Sequence, residues 1–164
     1  MADQKHGKRF EKDVQACLDR LKETGMLAYV RLYDTRSAGG NYIPAQPGDF
    51  IVSAGGFGHL IEVKASLEHD SLKTGLSSLV PIEQAASHRL WQKSGSPSWF
   101  LFKSMASRKI ELWDGEHVGE ARAGLCKLGS PEAVSEDKYI LKFIQALFLG
   151  DIDDHLQAIV ENTH

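Results

Sequence analysis

GDFIVSAGGFGHLIEVKAS, residues 48–66, contains two strand-like runs around a glycine-rich turn. The runs DFIVSA and HLIEVKAS are rich in strand-forming residues, and AGGFGH between them supplies residues that tolerate positive φ. The stretch therefore predicts a β-hairpin. Its GGFG segment matches neither the dinucleotide-binding fingerprint nor a P-loop, because both need a strand before and a helix after at a defined glycine spacing.

Three charged side chains interrupt the apolar runs of this hairpin. Glu62 and Lys64 are two residues apart on one strand, so their side chains point to the same face. Asp49 begins the neighbouring strand and lies near Glu62 if the hairpin register permits. Crowded carboxylates repel each other and lose solvation, and oxygen ligation of a hard divalent cation offsets both costs. The hairpin predicts a cation site with Mg²⁺ as its natural occupant, although a Glu/Lys pair on a strand also occurs as an ordinary surface interaction.

A Mg²⁺ ion held by two carboxylates keeps coordination positions for water and phosphate oxygens. It can polarise a phosphodiester and lower the pKa of an attacking water. Lys64 then orients that water or neutralises charge developing on the phosphate. Glu11, beside the apolar face of the first predicted helix, supplies a further carboxylate or contacts a metal-bound water. These residue types together indicate phosphodiester hydrolysis.

The segments before the hairpin predict a helix, a strand and a loop. Apolar residues recur at helical spacing over about residues 6–24, and Gly25 follows as a stop signal. Residues 26–34, MLAYVRLYD, are rich in strand formers. Residues 35–48 contain three glycines and two prolines and predict a mobile loop.

The segments after the hairpin predict a second helix, a second hairpin and C-terminal helices. A polar, flexible segment leads to Pro81, which begins a helix that ends at Gly95 and has Ile82, Ala85, Ala86 and Leu90 on its apolar side. SWFLFKSM and KIELWDG form the second hairpin. Ser130 and Pro131 then begin a helix as its cap and first residue, and DIDDHLQAIVENTH begins another. The predicted order is α-β-β-β-α-β-β-α-α, a mixed α/β fold with a central mixed sheet flanked by helices.

Length and composition favour an ordinary globular protein. A chain of 164 residues without a Pro/Ser-rich linker fits one domain over 1–164, with its core at about 5–115 and an acidic helical part at about 130–164, and would bury roughly 70% of its unfolded surface. No apolar run approaches the ~20 residues that span a bilayer, and the polar start MADQKHGKRFEKD gives no sign of a signal peptide. The two cysteines lack zinc-site spacing. We expect a reduced, intracellular protein that is cytoplasmic, or in an infected host cell if viral.

The net charge of −3 is distributed unevenly along the chain. Residues 1–110 carry 15 Lys/Arg against 11 Asp/Glu, whereas residues 111–164 carry 4 against 11, so the two parts have net charges of +4 and −7. A polyanion should therefore meet the first part. An ordinary solvated surface explains the same numbers equally well.

The charged positions also occur in a recognisable pattern. The segments GKRFE ending at Glu11, RSAG at 36–39, PGD ending at Asp49 and EVK beginning at Glu62 resemble the PD-(D/E)XK nuclease superfamily, and within it the archaeal-type Holliday-junction resolvases and their phage relatives. The resemblance covers about residues 5–105. It implies a restriction-endonuclease-like core, catalytic roles for Glu11, Asp49, Glu62 and Lys64, and Mg²⁺ bound by the three carboxylates, with Mn²⁺ able to substitute. One departure is Gly48, which separates Pro47 from Asp49 where the superfamily has adjacent residues; that proline supplies no ligand.

The resemblance also suggests supporting and DNA-binding residues. Similar resolvases have a basic, serine-containing loop leading towards the active site, so Arg36 and Ser37 are candidates to contact the scissile phosphate, with a plain loop as the alternative. Gln84 is a candidate to support the site, with a surface glutamine as the alternative. Arg89 and Lys93, four apart on the second helix, line a DNA-facing surface or simply a solvated helix face. The tryptophans and nearby phenylalanines at strand spacing favour core packing over base stacking.

The first hypothesis is a Mg²⁺-dependent, structure-selective DNA endonuclease, namely a Holliday-junction resolvase. The symmetry of a four-way junction favours a homodimer, which the resemblance implies. The second hypothesis is a restriction-like, nicking or end-processing nuclease with the same chemistry. The third is a nonenzymatic DNA-binding or protein-interaction module on this fold, suggested by the acidic C-terminal part.

Overall fold

The structure is a computed structural model that describes residues 2–33 and 46–162. The helices of this part are α1 (Ala2–Lys22), α2 (Leu72–Leu79), α3 (Ile82–Lys93), α4 (Gly115–Arg122), α5 (Ile140–Phe148) and α6 (Asp154–Asn162). The strands are β1 (Leu27–Arg31), β2 (Phe50–Ala54), β3 (Phe57–Ser66), β4 (Ser98–Ser104), β5 (Lys109–Asp114) and β6 (Ala133–Glu136).

The strands form one six-stranded mixed sheet in the order β1-β2-β3-β4-β5-β6. Every neighbouring pair is antiparallel except β3 and β4, which run parallel. A parallel pair needs a long crossover connection, and α2 and α3 supply it. The predicted mixed α/β fold, with a central mixed sheet flanked by helices, is confirmed.

The predicted hairpin is the β2–β3 pair. Its turn consists of Gly55 and Gly56, whose φ values of +62° and +84° lie in the region that only glycine enters without strain. The register places Ala54 opposite Phe57 and Phe50 opposite Ile61. Since β3 has 10 residues and β2 only 5, residues 62–66 continue past the start of β2, and among the described strands they pair with β4 alone. One backbone edge of this half of β3 therefore has no neighbouring strand among the described residues.

Two apolar layers cover the two faces of the sheet. On one face, the inner side of α1 packs with α5 and α6 against alternate residues of the strands, including Val63 of β3. On the other face, α2, α3 and α4 pack against Phe100, Phe102 and Trp113. All three of these aromatic side chains are buried, as the core interpretation of the aromatic residues predicts.

The segment after β3 that was expected to be flexible contains α2, so this prediction is wrong. The helix begins at the cap residue Ser71, whose hydroxyl accepts a hydrogen bond from the amide of Lys73. The carboxylate of Glu111, on β5, accepts hydrogen bonds from the Ser71 hydroxyl and the Leu72 amide. Leu72 itself is fully buried. Contacts from a distant strand stabilise this helix, and a local pattern does not reveal them.

The helix expected to begin at Ser130 and Pro131 is absent at that position. Residues 133–136 instead form β6, which pairs with β5 and adds a strand at the edge of the sheet. The next α-helix, α5, begins only at Ile140. A local cap pattern competed here with the unpaired edge of β5, and the hydrogen bonds to β5 prevailed. The helix α4 was also not predicted, so the observed order adds α2, α4 and β6 to the expected one.

The second predicted helix exists as α3, but its inner face differs from the expected one. Of the four residues expected on this face, Ile82 and Leu90 are 60% and 71% exposed and Ala86 is also exposed, whereas Ala85 is buried as expected, together with His88. Polar groups of this inner face contact the sheet, and Trp91 donates its indole N–H to the carbonyl of Gly58. Most of the predicted glycine-rich loop lies outside the described residues. None of the helices in the described ranges is long and apolar enough to cross a membrane.

Replacing Leu18 by alanine should destabilise the protein by about 2–5 kcal/mol, because this α1 side chain is fully buried against the sheet. Leu90→Ala, at an exposed helical position, is the matched control and should change stability by less than about 0.5 kcal/mol. Urea unfolding followed by circular dichroism measures both. Equal effects of the two substitutions would contradict the docking of α1 described here.

Candidate active site

The open edge of β3 lies at the bottom of a cleft of about 550 Å³ between α1 on one side and α2 and α3 on the other. The cleft exists because the helical layers cover both faces of the sheet while β2 ends short of this edge. Its lining includes Lys8, Glu11, Glu62, Lys64, Leu79 and Gln84. Glu11, Glu62 and Lys64, which the sequence analysis assigned to the site, thus face one space.

Asp49 lies at the step where β2 begins. Its amide donates to the carbonyl of Ile61 over 2.8 Å, and its carboxylate accepts a hydrogen bond of 2.7 Å from the amide of Val63. Continuing the hairpin register by one residue places Asp49 opposite Glu62. The arrangement that the sequence analysis made conditional on the register is therefore present. Asp49 also binds part of the β3 edge that β2 leaves unpaired.

The close approach of this segment to β3 depends on Gly48. A Cβ atom at this position would lie 2.9 Å from the carbonyl oxygen of Ile61 and 2.9 Å from a methyl carbon of Leu60. Real Cβ atoms do not approach backbone this closely, so any other residue would move the chain away from β3. Gly48 therefore fits between Pro47 and Asp49 for a packing reason.

Glu62 is 3% exposed, and its two oxygens have different surroundings. The ammonium of Lys64 lies 3.1 Å from Oε1, and the amide of Gln84 donates to the same oxygen over 2.9 Å. Oε2 is buried and has no hydrogen-bond partner within the described part of the chain. A buried carboxylate oxygen without a partner is costly, so this atom is suited to an additional positive ligand.

Glu11 lies on the α1 wall of the cleft and is paired with Arg31 of β1. The guanidinium donates to the carboxylate of Glu11 over 3.1 Å and to the side-chain oxygen of Gln15 over 2.6 Å. Arg31 thus links the first strand to the wall of the cleft. The sequence analysis did not single out this arginine, because its partner is 20 residues away in the chain.

Burial and repulsion from neighbouring carboxylates raise the pKa values of Asp49 and Glu62. The pKa of Asp49 is raised well above its usual range, first by burial and then by the charges of Glu62 and Glu11. Burial also raises the pKa of Glu62, although the ammonium of Lys64 opposes this shift. Since a cation favours the charged form of every carboxylate near it, this cluster gains from binding one.

The donors of the cleft fit a hard divalent cation of the Mg²⁺ type. Within the described ranges, no three His, Cys, Asp or Glu side chains are grouped closely enough to hold a metal ion by themselves. Mg²⁺ does not need such a cage, because it binds through one or two carboxylates and keeps several waters or phosphate oxygens. Asp49 and the free oxygen of Glu62 match this requirement.

Several residues suggested by the sequence lie apart from the cleft lining. The Nε atom of Arg89 is buried without a hydrogen-bond partner among the described residues, and its stem packs against Gly119 of α4. Lys93 is exposed at the end of α3. His88, a residue of α3 that the sequence analysis did not assign to the site, is fully buried against the ring of Phe100. Arg36 and Ser37 lie outside the described residues.

Gln84 donates a hydrogen bond to Glu62, so it is not a plain surface glutamine, which was the alternative to a supporting role. The structure also adds residues that the sequence analysis did not name. Lys8 and Gln4 of α1 line the cleft together with His69, which precedes α2. Lys8 could have been found from sequence, because it lies three residues before Glu11 and so faces the same side of the helix. His69 gave no such signal, since the helix beside it was not predicted.

Comparison with solved structures finds a similar chain in Hjc, a Holliday junction resolvase from the archaeal hyperthermophile Archaeoglobus fulgidus. The two chains are 20% identical with a TM-score of 0.40, and the match covers 68% of this chain and 78% of that one. Hjc is the kind of enzyme that the sequence resemblance names. No family model and no curated protein matches the chain. At this identity and TM-score, the function has to be argued from the side chains of the cleft.

Without divalent ions, the free energy of unfolding should fall as the pH rises from about 4 towards the raised pKa values of Asp49 and Glu62 in the native protein. The reason is that the native protein keeps protons on these two carboxyl groups that the unfolded chain releases. Asp49→Asn should weaken this fall and raise the melting temperature at pH 7. Thermal melts of both proteins between pH 5 and 7.5 measure the effect. Comparing them cancels other groups, such as His88, whose pKa burial lowers to about 3.

Asp151→Asn, which removes an exposed carboxylate, is the control and should melt like the wild type at each pH. Adding Mg²⁺ at pH 7 should raise the melting temperature of the wild type and of the control, but not that of Asp49→Asn. Identical pH profiles for Asp49→Asn and the wild type would contradict the crowding described for this cleft.

Proposed function

We propose that the protein is a Mg²⁺-dependent, structure-selective DNA endonuclease that hydrolyses phosphodiester bonds, with Holliday junctions as its substrate. One observation carries the proposal. Glu62 and Lys64 line one cleft at an open strand edge, Asp49 binds the same edge beside them, and the buried Oε2 of Glu62 has no hydrogen-bond partner among the described residues. Two carboxylates and an ammonium in this arrangement suit a reaction at a phosphate group.

In this proposal Asp49 and Glu62 hold the Mg²⁺ ion, for which Mn²⁺ can substitute, and Glu11 contributes a further carboxylate on the opposite wall. The ion supplies Lewis-acid polarisation of the phosphate and a lowered pKa of a bound water. The pairing of Glu11 with Arg31 favours an indirect contact, because its carboxylate is already bound by a guanidinium.

Lys64 has the position to act on the reacting phosphate. Its ammonium lies beside Glu62 and faces the cleft, where it can neutralise charge that develops on a phosphate oxygen or orient the attacking water. The Glu62 carboxylate, 3.1 Å away, holds this ammonium in place. Gln84 acts as a positioning residue, because its amide occupies the same carboxylate oxygen as Lys64 and leaves the other oxygen free.

The choice of a junction over other DNA rests on the sequence resemblance to junction-resolving nucleases. A resolvase cuts two strands related by a two-fold axis, and a homodimer would place one cleft at each. The mixed α/β fold with the charged hairpin at its centre is compatible with this interpretation.

Labelled four-way junctions should be cut in Mg²⁺ and not in EDTA. Glu62→Gln and Lys64→Met should each lower the cleavage rate at saturating enzyme by at least about 10²-fold. The first substitution removes a carboxylate ligand of the cation, and the second removes a positive charge beside the phosphate. Glu83→Gln, an exposed neighbour on α3, is the control and should cut normally. A matched linear duplex, with the products resolved on denaturing gels, tests selectivity.

Cutting of both substrates would support a restriction-like, nicking or end-processing nuclease instead. Binding without cutting in any divalent ion would support the nonenzymatic module. In that case Asp49→Ala would leave the binding intact.

Gln84→Leu should raise the Mg²⁺ concentration for half-maximal cleavage by about 10–100-fold, since the substitution releases the carboxylate that Gln84 orients. At saturating Mg²⁺ the rate should recover in part. Ser78→Ala, which changes a cleft residue bonded to Gly75 and His69 and not to Glu62, is the control. An unchanged metal requirement in Gln84→Leu would show that the hydrogen bond plays no part in positioning Glu62.

A further inference from the structure

The candidate cleft has two neighbouring depressions along α1. Gln4 and Lys8 line both the cleft and a shallow depression on the outer side of this helix. Arg9 lines that depression and also a second groove on the far side of α1. The three spaces therefore follow one another across the surface of the helix, each sharing at least one lining residue with the next.

The outer side of α1 carries the cations of this path in its first three turns. Lys5, Lys8, Arg9 and Lys12 are all exposed. None of the ion pairs formed within the described residues uses their side chains. We call this set the α1 ridge. Its charges are free to meet an external anion.

The second groove, of about 830 Å³, lies between α1, the turn that joins β4 to β5, and the start of α5. It is lined by five cationic residues and two acidic ones, a net charge of +3. These are Arg9, Arg20, Lys103, Arg108, Lys138, Asp13 and Asp137.

Contacts within the second groove hold some of its cations in place. Lys103 and Arg108 both contact the carboxylate of Asp137, at 3.3 and 3.2 Å, so two cations share one anion. Arg20 donates to the carbonyl of Val160 over 2.5 Å. The groove thus keeps an excess of positive charge on side chains that are already ordered, which lowers the entropy cost of binding an anion there.

The spacing of these charges fits an extended polyanion better than a small one. Lys5 and Arg20 are 15 residues apart on α1, which corresponds to about 22 Å along the helix. A duplex covers that distance in about seven base pairs. A small anion would instead need cations that converge on one point, and on the ridge they project along the helix from exposed positions.

We propose that a duplex DNA arm leaves the cleft over the α1 ridge and continues into the second groove, with its phosphates on Lys5, Arg9 and Lys12. This inference rests on the proposed function, since it assigns the path of the same substrate. It gives the protein an interface of about seven base pairs beyond the scissile phosphate. The interface is made with the DNA backbone and so does not depend on sequence.

The test uses the triple variant Lys5→Gln, Arg9→Gln, Lys12→Gln, which leaves the cleft residue Lys8 unchanged. Its control is Lys73→Gln, Lys127→Gln, Lys142→Gln, which removes the same charge from exposed positions that line none of the three depressions. Affinity for fluorescent four-way junctions with arms of 4 or 14 base pairs is measured by anisotropy in EDTA between 50 and 300 mM KCl, so that no cleavage occurs.

The ridge variant should bind the long-armed junction about tenfold or more weakly at 100 mM salt, and its plot of log affinity against log salt should be less steep by about 3, one unit for each phosphate that the variant no longer neutralises. The wild type should prefer the long arms, and the ridge variant should lose that preference. Equal losses of affinity in the ridge and control variants, or no arm-length preference in the wild type, would overturn the proposal.

Cleavage by the wild type in Mg²⁺ separates this inference from the proposed function. Metal-dependent cutting together with equal binding by the two variants overturns only the path over α1. Selective loss of binding by the ridge variant, in a protein that never cuts, supports the path and overturns the nuclease.

Discussion

The difference in length between β2 and β3 is the constraint on which the rest of the site depends. A strand that continues past its neighbour leaves unpaired backbone groups, which have to find other partners. Here the carboxylate of Asp49 binds the Val63 amide, and helices from both layers enclose the remaining edge. The cleft is thus a consequence of strand pairing. Side chains that alternate along β3 then place Val63 in the core and Glu62 and Lys64 towards the cleft.

Burying charged carboxylates at this place opposes folding. The raised pKa values of Asp49 and Glu62 show this, because they mean that the charged forms are less stable in the native protein than in the unfolded chain. The packing around the cleft has to outweigh it. Phe10, Val14 and Leu18 of α1 lie under one wall, while Phe100 and Phe102 lie under the other, and all of them are fully buried or nearly so. Rigid walls of this kind hold like charges closer together than they would remain in water. The same walls limit how far the carboxylates can move apart when no cation is present.

Local patterns predicted the parts of the fold whose stability is local. The apolar spacing of α1, the two glycines of the hairpin turn and the alternation in β3 each determine an element without help from distant residues. The elements that the sequence did not predict depend on distant partners. Helix α2 relies on Glu111, about 40 residues away, and β6 forms because β5 has a free edge. In the candidate site, Asp49, Glu62 and Lys64 could be predicted from one hairpin, whereas the contacts of Arg31 and Gln84 become visible only when separate elements pack together.

Gly48 has a consequence for how chains of this kind are recognised. Its missing side chain allows the segment before Asp49 to lie against the backbone of β3, so the distance between the two strands is set by the absence of an atom. A search pattern that demands proline directly before the aspartate selects a residue that donates no ligand, and it discards chains in which a glycine packs there. A pattern that requires a small residue before the aspartate, and a following strand longer than the one it pairs with, would retain these chains.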